Sequence, residues 1–148
     1  MGHEKVDPSQ FIQELLESAR KEEWEKVDKE LVPQLKNFNG DIVAEKLLKY
    51  VSDTDPNVRD IVATSFAGLE VLNPKIESQI AESMFRMASE DIERYPVGRA
   101  MAYLLVLREK PGFKVRVESA LADFRERVKE NAWTDDLRAA IPALSKVL

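Results

Sequence analysis

The chain has no cysteine and a single histidine. Without cysteine there is no disulfide, no thiolate metal site and no thiol nucleophile, and a reducing, cytoplasmic compartment suits such a chain. With His3 alone, near the N-terminus, neither a nucleophile–histidine–acid relay nor a histidine zinc site can be assembled. Five glycines are too few and too scattered for Gly-x-x-x-x-Gly-Lys or Gly-x-Gly-x-x-Gly phosphate loops. Asp53-Thr54-Asp55 runs into Pro56 and lacks the glycine and the closing Glu of a calcium loop. Long apolar runs are missing too. The longest, Ala100 to Leu107, has the length of a buried helix core, far short of a membrane span. The N-terminus does not show the charged-then-apolar order of a signal peptide. Positive charge is in deficit: 22 basic against 27 acidic side chains give a net charge of -5, so no global pull toward nucleic acid is expected. From these absences we expect no enzyme activity, no cofactor and no metal.

What is present is a folded, strongly solvated composition, 44% hydrophobic and 33% charged. Apolar spacing is helical almost throughout, with no strand-like alternation. Eight helices are predicted. Asp7-Pro8 opens the first, whose stripe is Phe11, Ile12, Leu15, Leu16 and Ala19. The second carries Trp24, Val27, Leu31 and Leu35, is bent or shortened by Pro33, and stops at Asn37-Phe38-Asn39-Gly40. Val43, Leu47, Leu48 and Val51 mark the third, and the fourth runs from Pro56 to about Leu72. Asn73-Pro74 opens the fifth, with a face of Ile76, Ile80, Met84, Met87, Ala88 and Ile92. Pro96 breaks the chain there and begins a sixth helix, to Glu109, that is apolar nearly all round. The seventh carries Phe113, Val117, Leu121, Phe124 and Val128. Thr134 caps the eighth, which buries Leu137, Ala140, Ile141 and Leu144 and is kinked by Pro142.

Part of this pattern recurs. Asp55-Pro56-Asn57-Val58-Arg59 has echoes in Pro96-Val97-Gly98-Arg99 and Asp136-Leu137-Arg138, each about one helical hairpin further on. The stretch Leu47-Leu48-x-x-Val51-x-Asp53-x-Asp55-Pro56-x-Val58-Arg59-x-x-Val62-Ala63-x-x-Phe66-x-x-Leu69 resembles a HEAT repeat, in which an Asp sits near the inter-helix turn and a Val-Arg pair opens the second helix. The resemblance is good over residues 42–72, fair over 117–148 and partial over 76–109, where Tyr95 replaces the Asp and Gly98 the Val. Residues 7–37 have helical spacing without the Val-Arg pair. The resemblance implies an all-α fold, a right-handed α-α superhelix of about four stacked antiparallel hairpins. It also implies a concave face of second helices that binds partners. Residues 1–6 are then expected as a flexible tail and 7–148 as one helical-repeat domain.

Several side chains are candidates for partner binding. Arg59, Arg99 and Arg138 recur at repeat spacing and are either a basic ladder for an acidic peptide or phosphates, or links that tie each turn to its neighbour. Regular recurrence favours the links. Tyr103 and Trp133 are either exposed anchors or core-closing aromatics. Residues 108–148 hold nine basic and seven acidic side chains, against a strongly acidic remainder. The leading expectation is a non-catalytic scaffold or adaptor that binds another protein or peptide. The alternative is a nucleic-acid-binding module, of the kind found in HEAT-like DNA glycosylases, using the basic C-terminal part. The apolar finish Val147-Leu148 suggests a homodimer through a terminal helix.

Overall fold

The computed structural model describes residues 7–148; the expected tail, 1–6, lies outside them. The described residues contain no strand and eight α-helices, as the sequence predicts. They form two compact units, one ending at Ile80 and the other spanning Ala81–Leu148.

The first unit begins with α1 (Ser9–Arg20). The Asp7 carboxylate accepts from the Ser9 amide and hydroxyl, so Asp7 orders the helix start and α1 begins one residue after Pro8. Four of the five stripe residues are buried, Ile12, Leu15, Leu16 and Ala19 all at or below 2% exposure, while Phe11 stays half-exposed. Then α2 (Trp24–Lys26) changes character twice, into a π-helical segment (Val27–Leu31) and a 3-10 segment (Val32–Asn37). Pro33 is the physical reason. It has no amide hydrogen, and its ring crowds the preceding turn, so the chain widens upstream, where the Val32 amide reaches back to the Val27 carbonyl, and tightens downstream. Widening also keeps Val27, Leu31 and Leu35, spaced by four, on one buried face.

Asn37-Phe38-Asn39-Gly40 is more than a stop. The 3-10 segment ends at Asn37 and Phe38 is extended, its ring stacked on Phe11 at 4.9 Å. Asn39 then caps α3 (Gly40–Leu47), accepting from the Ile42 amide. Gly40 lies against the backbone of Glu70, and a Cβ here would overlap the Glu70 carbonyl. After a 3-10 turn (Leu48–Tyr50), Asp55 caps α4 (Pro56–Gly68) through the Asn57 amide. This helix stops at Gly68, four residues before the expected end. Residues 69–73 are not helical, and the Asp41 carboxylate accepts from the Leu72 and Asn73 amides. A long-range acceptor thus replaces the last helical turn. Within the unit α1 packs on α3 and α4.

The helix α5 (Pro74–Glu90) opens on Asn73, which accepts from Lys75 and Ile76 amides, and carries the boundary between the units. Ile76, Ile80, Met84, Met87 and Ala88 are buried, but the expected continuation, Ile92, is 78% exposed. The helix has ended at Glu90, and an Asp91 turn, with its carboxylate accepting from the Glu93 amide, sets the next direction. Accordingly α6 (Arg94–Leu107) starts before Pro96. A proline in the first turn costs nothing there, because that amide has no helical partner.

In the second unit α6 packs on α7 (Lys114–Asn131) and on α8 (Thr134–Ala140). Val117, Leu121, Phe124 and Val128 are buried along α7. Ala132, at φ 56°, closes that helix, with the Trp133 amide returning to the Val128 carbonyl. Thr134 is the first residue of α8 and makes no side-chain cap. Pro142 ends the helix rather than kinking it, and a 3-10 segment (Pro142–Lys146) follows. Leu137, Ile141 and Leu144 are buried, whereas Ala140 is exposed. Gly98 lets α8 come close: its missing side chain is filled by the tips of Leu137 and Ile141.

The glycines generate a paired prediction. Gly40→Ala forces backbone apart and should cost at least about 2 kcal/mol. Gly68→Ala meets nothing within 4 Å and should be neutral or stabilising by up to about 0.5–1 kcal/mol, because alanine restricts the unfolded chain. Urea unfolding of both variants checks the contrast.

Candidate functional site

The sequence candidates fall in different places. Arg59, on α4 in the first unit, donates to the Asp53 and Thr54 carbonyls at 2.9 and 3.3 Å, holding the turn that precedes its own helix. Arg99 and Tyr103, on α6, are half-buried and each engages a neighbouring group. Arg138, on α8, is exposed. Gly98 touches Leu137, so Arg99 and Arg138 flank that close contact between α6 and α8. Trp133 is 7% exposed, with the Arg127 guanidinium 5.3 Å above its ring. Its ring is part of the core of the second unit.

Other arginines make the long-range ties. Arg20, at the end of α1, grips Asp53 with both guanidinium nitrogens at 2.9 and 3.2 Å. That bond holds the Asp53 carboxyl below the usual carboxylate range, and it holds Arg20 above its own. Asp53 also accepts from the Asp55 amide, so one carboxylate joins α1 to the turn and the turn to itself. In the second unit Arg116 forms the same fork on Glu82, at 2.6 and 2.7 Å, and stacks over Phe85 at 3.9 Å. Its hydrogen bond lowers the Glu82 carboxyl pKa. Arg127 donates to the carbonyls of Ala88 and Asp91, covering the open end of α5. Arg94 pairs with Asp136, and Arg125 donates to the Val147 carbonyl. Sequence reading selected the arginines that recur and missed these. The available signal was weaker: each lies in a helix, and its partner is 22 to 42 residues away in the chain, with Glu82 itself inside α5.

A concavity lies in the first unit. It is a groove of about 270 Å³ where the start of α3 meets the extended chain after α4. Phe38, Leu69 and Leu72 supply apolar wall, Lys36 and Glu70 supply charge of both signs, and Gly40 exposes backbone. Leu72 is 76% exposed although its amide is fixed by Asp41. A large aliphatic side chain is therefore presented to solvent on a pinned backbone. Among the described residues no cluster of three or more His, Cys, Asp or Glu could hold a metal ion, and no helix is long and apolar enough to cross a membrane.

Comparison with protein families, with curated proteins and with solved structures returns no match.

The forked pairs generate a pH prediction. Asp53 and Glu82 both have lowered folded values, so the stability they contribute is fully present above the unfolded carboxylate value, about 4, and is lost as pH falls through the folded values. Their partners remain charged throughout. Asp53→Asn should cost about 1 kcal/mol at neutral pH, since solvent screens a half-open pair, and should flatten the stability curve below pH ~4. Chemical denaturation across that range checks it.

Proposed function

We propose that this chain is a helical-repeat module of the HEAT kind that binds another protein or peptide and does no chemistry itself. One observation carries the reading: the groove at the start of α3, where Leu72 stands exposed on backbone that Asp41 holds in place. Apolar side chains on a fixed frame lose little conformational freedom on binding, and so give affinity with little ordering cost. Mixed charge at the rim, from Lys36 and Glu70, suits a protein surface or peptide better than a polyanion.

The alternative, nucleic-acid binding through the basic C-terminal part, has less support. Arg108, Arg116, Arg125 and Arg127 are engaged with Glu118, Glu82, the Val147 carbonyl and the α5 carbonyls. Phosphate contacts would have to replace those bonds rather than add to them.

A photo-crosslinking residue placed at Leu72 should capture one discrete partner in the native cell, while the same residue at exposed Glu25 should not. Glu70→Lys should reduce the Leu72 yield several-fold while leaving the melting temperature unchanged. Equal capture at both positions, or none at Leu72, contradicts the reading.

A further inference from the structure

Five asparagines occur in the chain, and Asn39 alone is followed by glycine. That pairing is chemically vulnerable. A backbone amide nitrogen can attack the side-chain carbonyl carbon of the asparagine before it, and glycine, with no side chain, hinders the attack least. Two separate demands of the fold put the pair at the start of α3. Asn39 caps the helix, its Oδ1 accepting from the Ile42 amide at 3.1 Å. Gly40 cannot give way to a bulkier residue, because a Cβ there overlaps the Glu70 carbonyl. Both residues are half-buried, so water reaches them.

The folded geometry holds the reacting atoms apart. Ring closure needs the Gly40 nitrogen eclipsed with the Asn39 Cβ. About the Cα–C bond of an L-residue, that eclipse falls at ψ of about −120°. Asn39 sits at ψ 120°, so its peptide plane would have to turn by about a third of a revolution. That turn carries away the Asn39 carbonyl, which accepts from the Val43 amide at 3.1 Å. Attack on Cγ also pulls Oδ1 off the Ile42 amide. The first turn of α3 must therefore open before the reaction can begin. Asp41 resists that opening, because its carboxylate ties the start of α3 to the Leu72 and Asn73 amides at 2.8 and 3.2 Å.

We propose that Asn39 is a deamidation site gated by the fold: it reacts while the start of α3 is open, and the isoaspartyl product keeps α3 from closing again. The Gly40 nitrogen gives its proton to hydroxide and bonds to the Asn39 Cγ. The Cγ–Nδ2 bond breaks, and Nδ2 leaves as ammonia with a proton from water. Water then opens the five-membered imide, and no group is oxidised or reduced. Opening at Cγ leaves an aspartate, whose carboxylate can still cap. Opening at the main-chain carbonyl leaves an isoaspartate. There the chain runs through the former side chain, one carbon longer, and the former main-chain carbonyl becomes a free carboxylate. Val43 loses its acceptor, and Gly40 no longer meets Glu70 in the same place. The chemistry depends on the start of α3 alone, not on what the groove binds.

Peptide mapping by mass spectrometry tests it on the full chain held in mildly alkaline buffer. Deamidation makes the peptide that contains Asn39 about 1 Da heavier. In urea above the unfolding transition, Asn39 should convert faster than any other asparagine. In the folded protein its conversion should be at least about tenfold slower. Asp41→Ala should speed conversion in the folded state several-fold while leaving the rate in urea unchanged. Asn39→Ser keeps a capping oxygen; its peptide should hold its mass, and its Ile42 and Val43 amides should exchange slowly after the same incubation. In aged unaltered protein those two amides should exchange faster. Equal rates for the folded and the unfolded chain overturn the proposal. So does a folded Asp41→Ala that converts no faster, or an isoaspartate-bearing protein whose Ile42 and Val43 amides stay as protected as in fresh protein.

Discussion

The turns of this molecule are held by side chains that come from a distant helix. Arg20 reaches Asp53, Asp41 reaches the Leu72 and Asn73 amides, and Arg127 reaches the carbonyls that end α5. Each tie supplies a partner to backbone or carboxylate groups that the helices themselves leave open. The helices need this help. Most are short, α2 gives way at once to π and 3-10 geometry, and α8 stops at Ala140. Isolated helices of such lengths are marginal in water, so packing and turn chemistry must decide where they begin and end.

These ties also set what the surface can offer. A turn pinned by a charged hydrogen bond presents its side chains in one place, and at several turns those side chains are aliphatic. Leu72 follows the Asp41 tie, and Ile92 sits beside the Arg127 tie. An exposed aliphatic residue on a loose loop would be ordinary surface. On fixed backbone it would lose little freedom in a contact, which is why binding is the function we propose.

Much of the helical pattern was legible in the sequence because it depends on local chemistry. Asp55 and Asn73 cap as their positions suggest, and the stripes from Phe11 to Ala19 and from Phe113 to Val128 are read correctly at most positions, with Phe11 and Phe113, the first residue of each, staying half-exposed. Failures cluster where a distant group takes over. Helix α4 ends at Gly68 because Asp41 captures the following amides, and Gly40 is required by Glu70 rather than by a helix end. Ile92 fits the α5 period but lies past a turn that Asp91 creates. The arginines show the same limit. Recurrence highlighted Arg59, Arg99 and Arg138, whereas the long-range forks belong to Arg20 and Arg116, whose partners can be identified only once the hairpins are folded.

Amide hydrogen exchange at Leu72 and Asn73 tests the central claim most directly. Both amides lie outside any helix, and Leu72 is largely exposed, so their slow exchange would have to come from the Asp41 carboxylate. The account predicts clear protection in the unaltered protein, lost at these two amides in Asp41→Ala while the interior of α4 stays protected. Exchange at unstructured-chain rates in the unaltered protein, or identical protection in the variant, would contradict it.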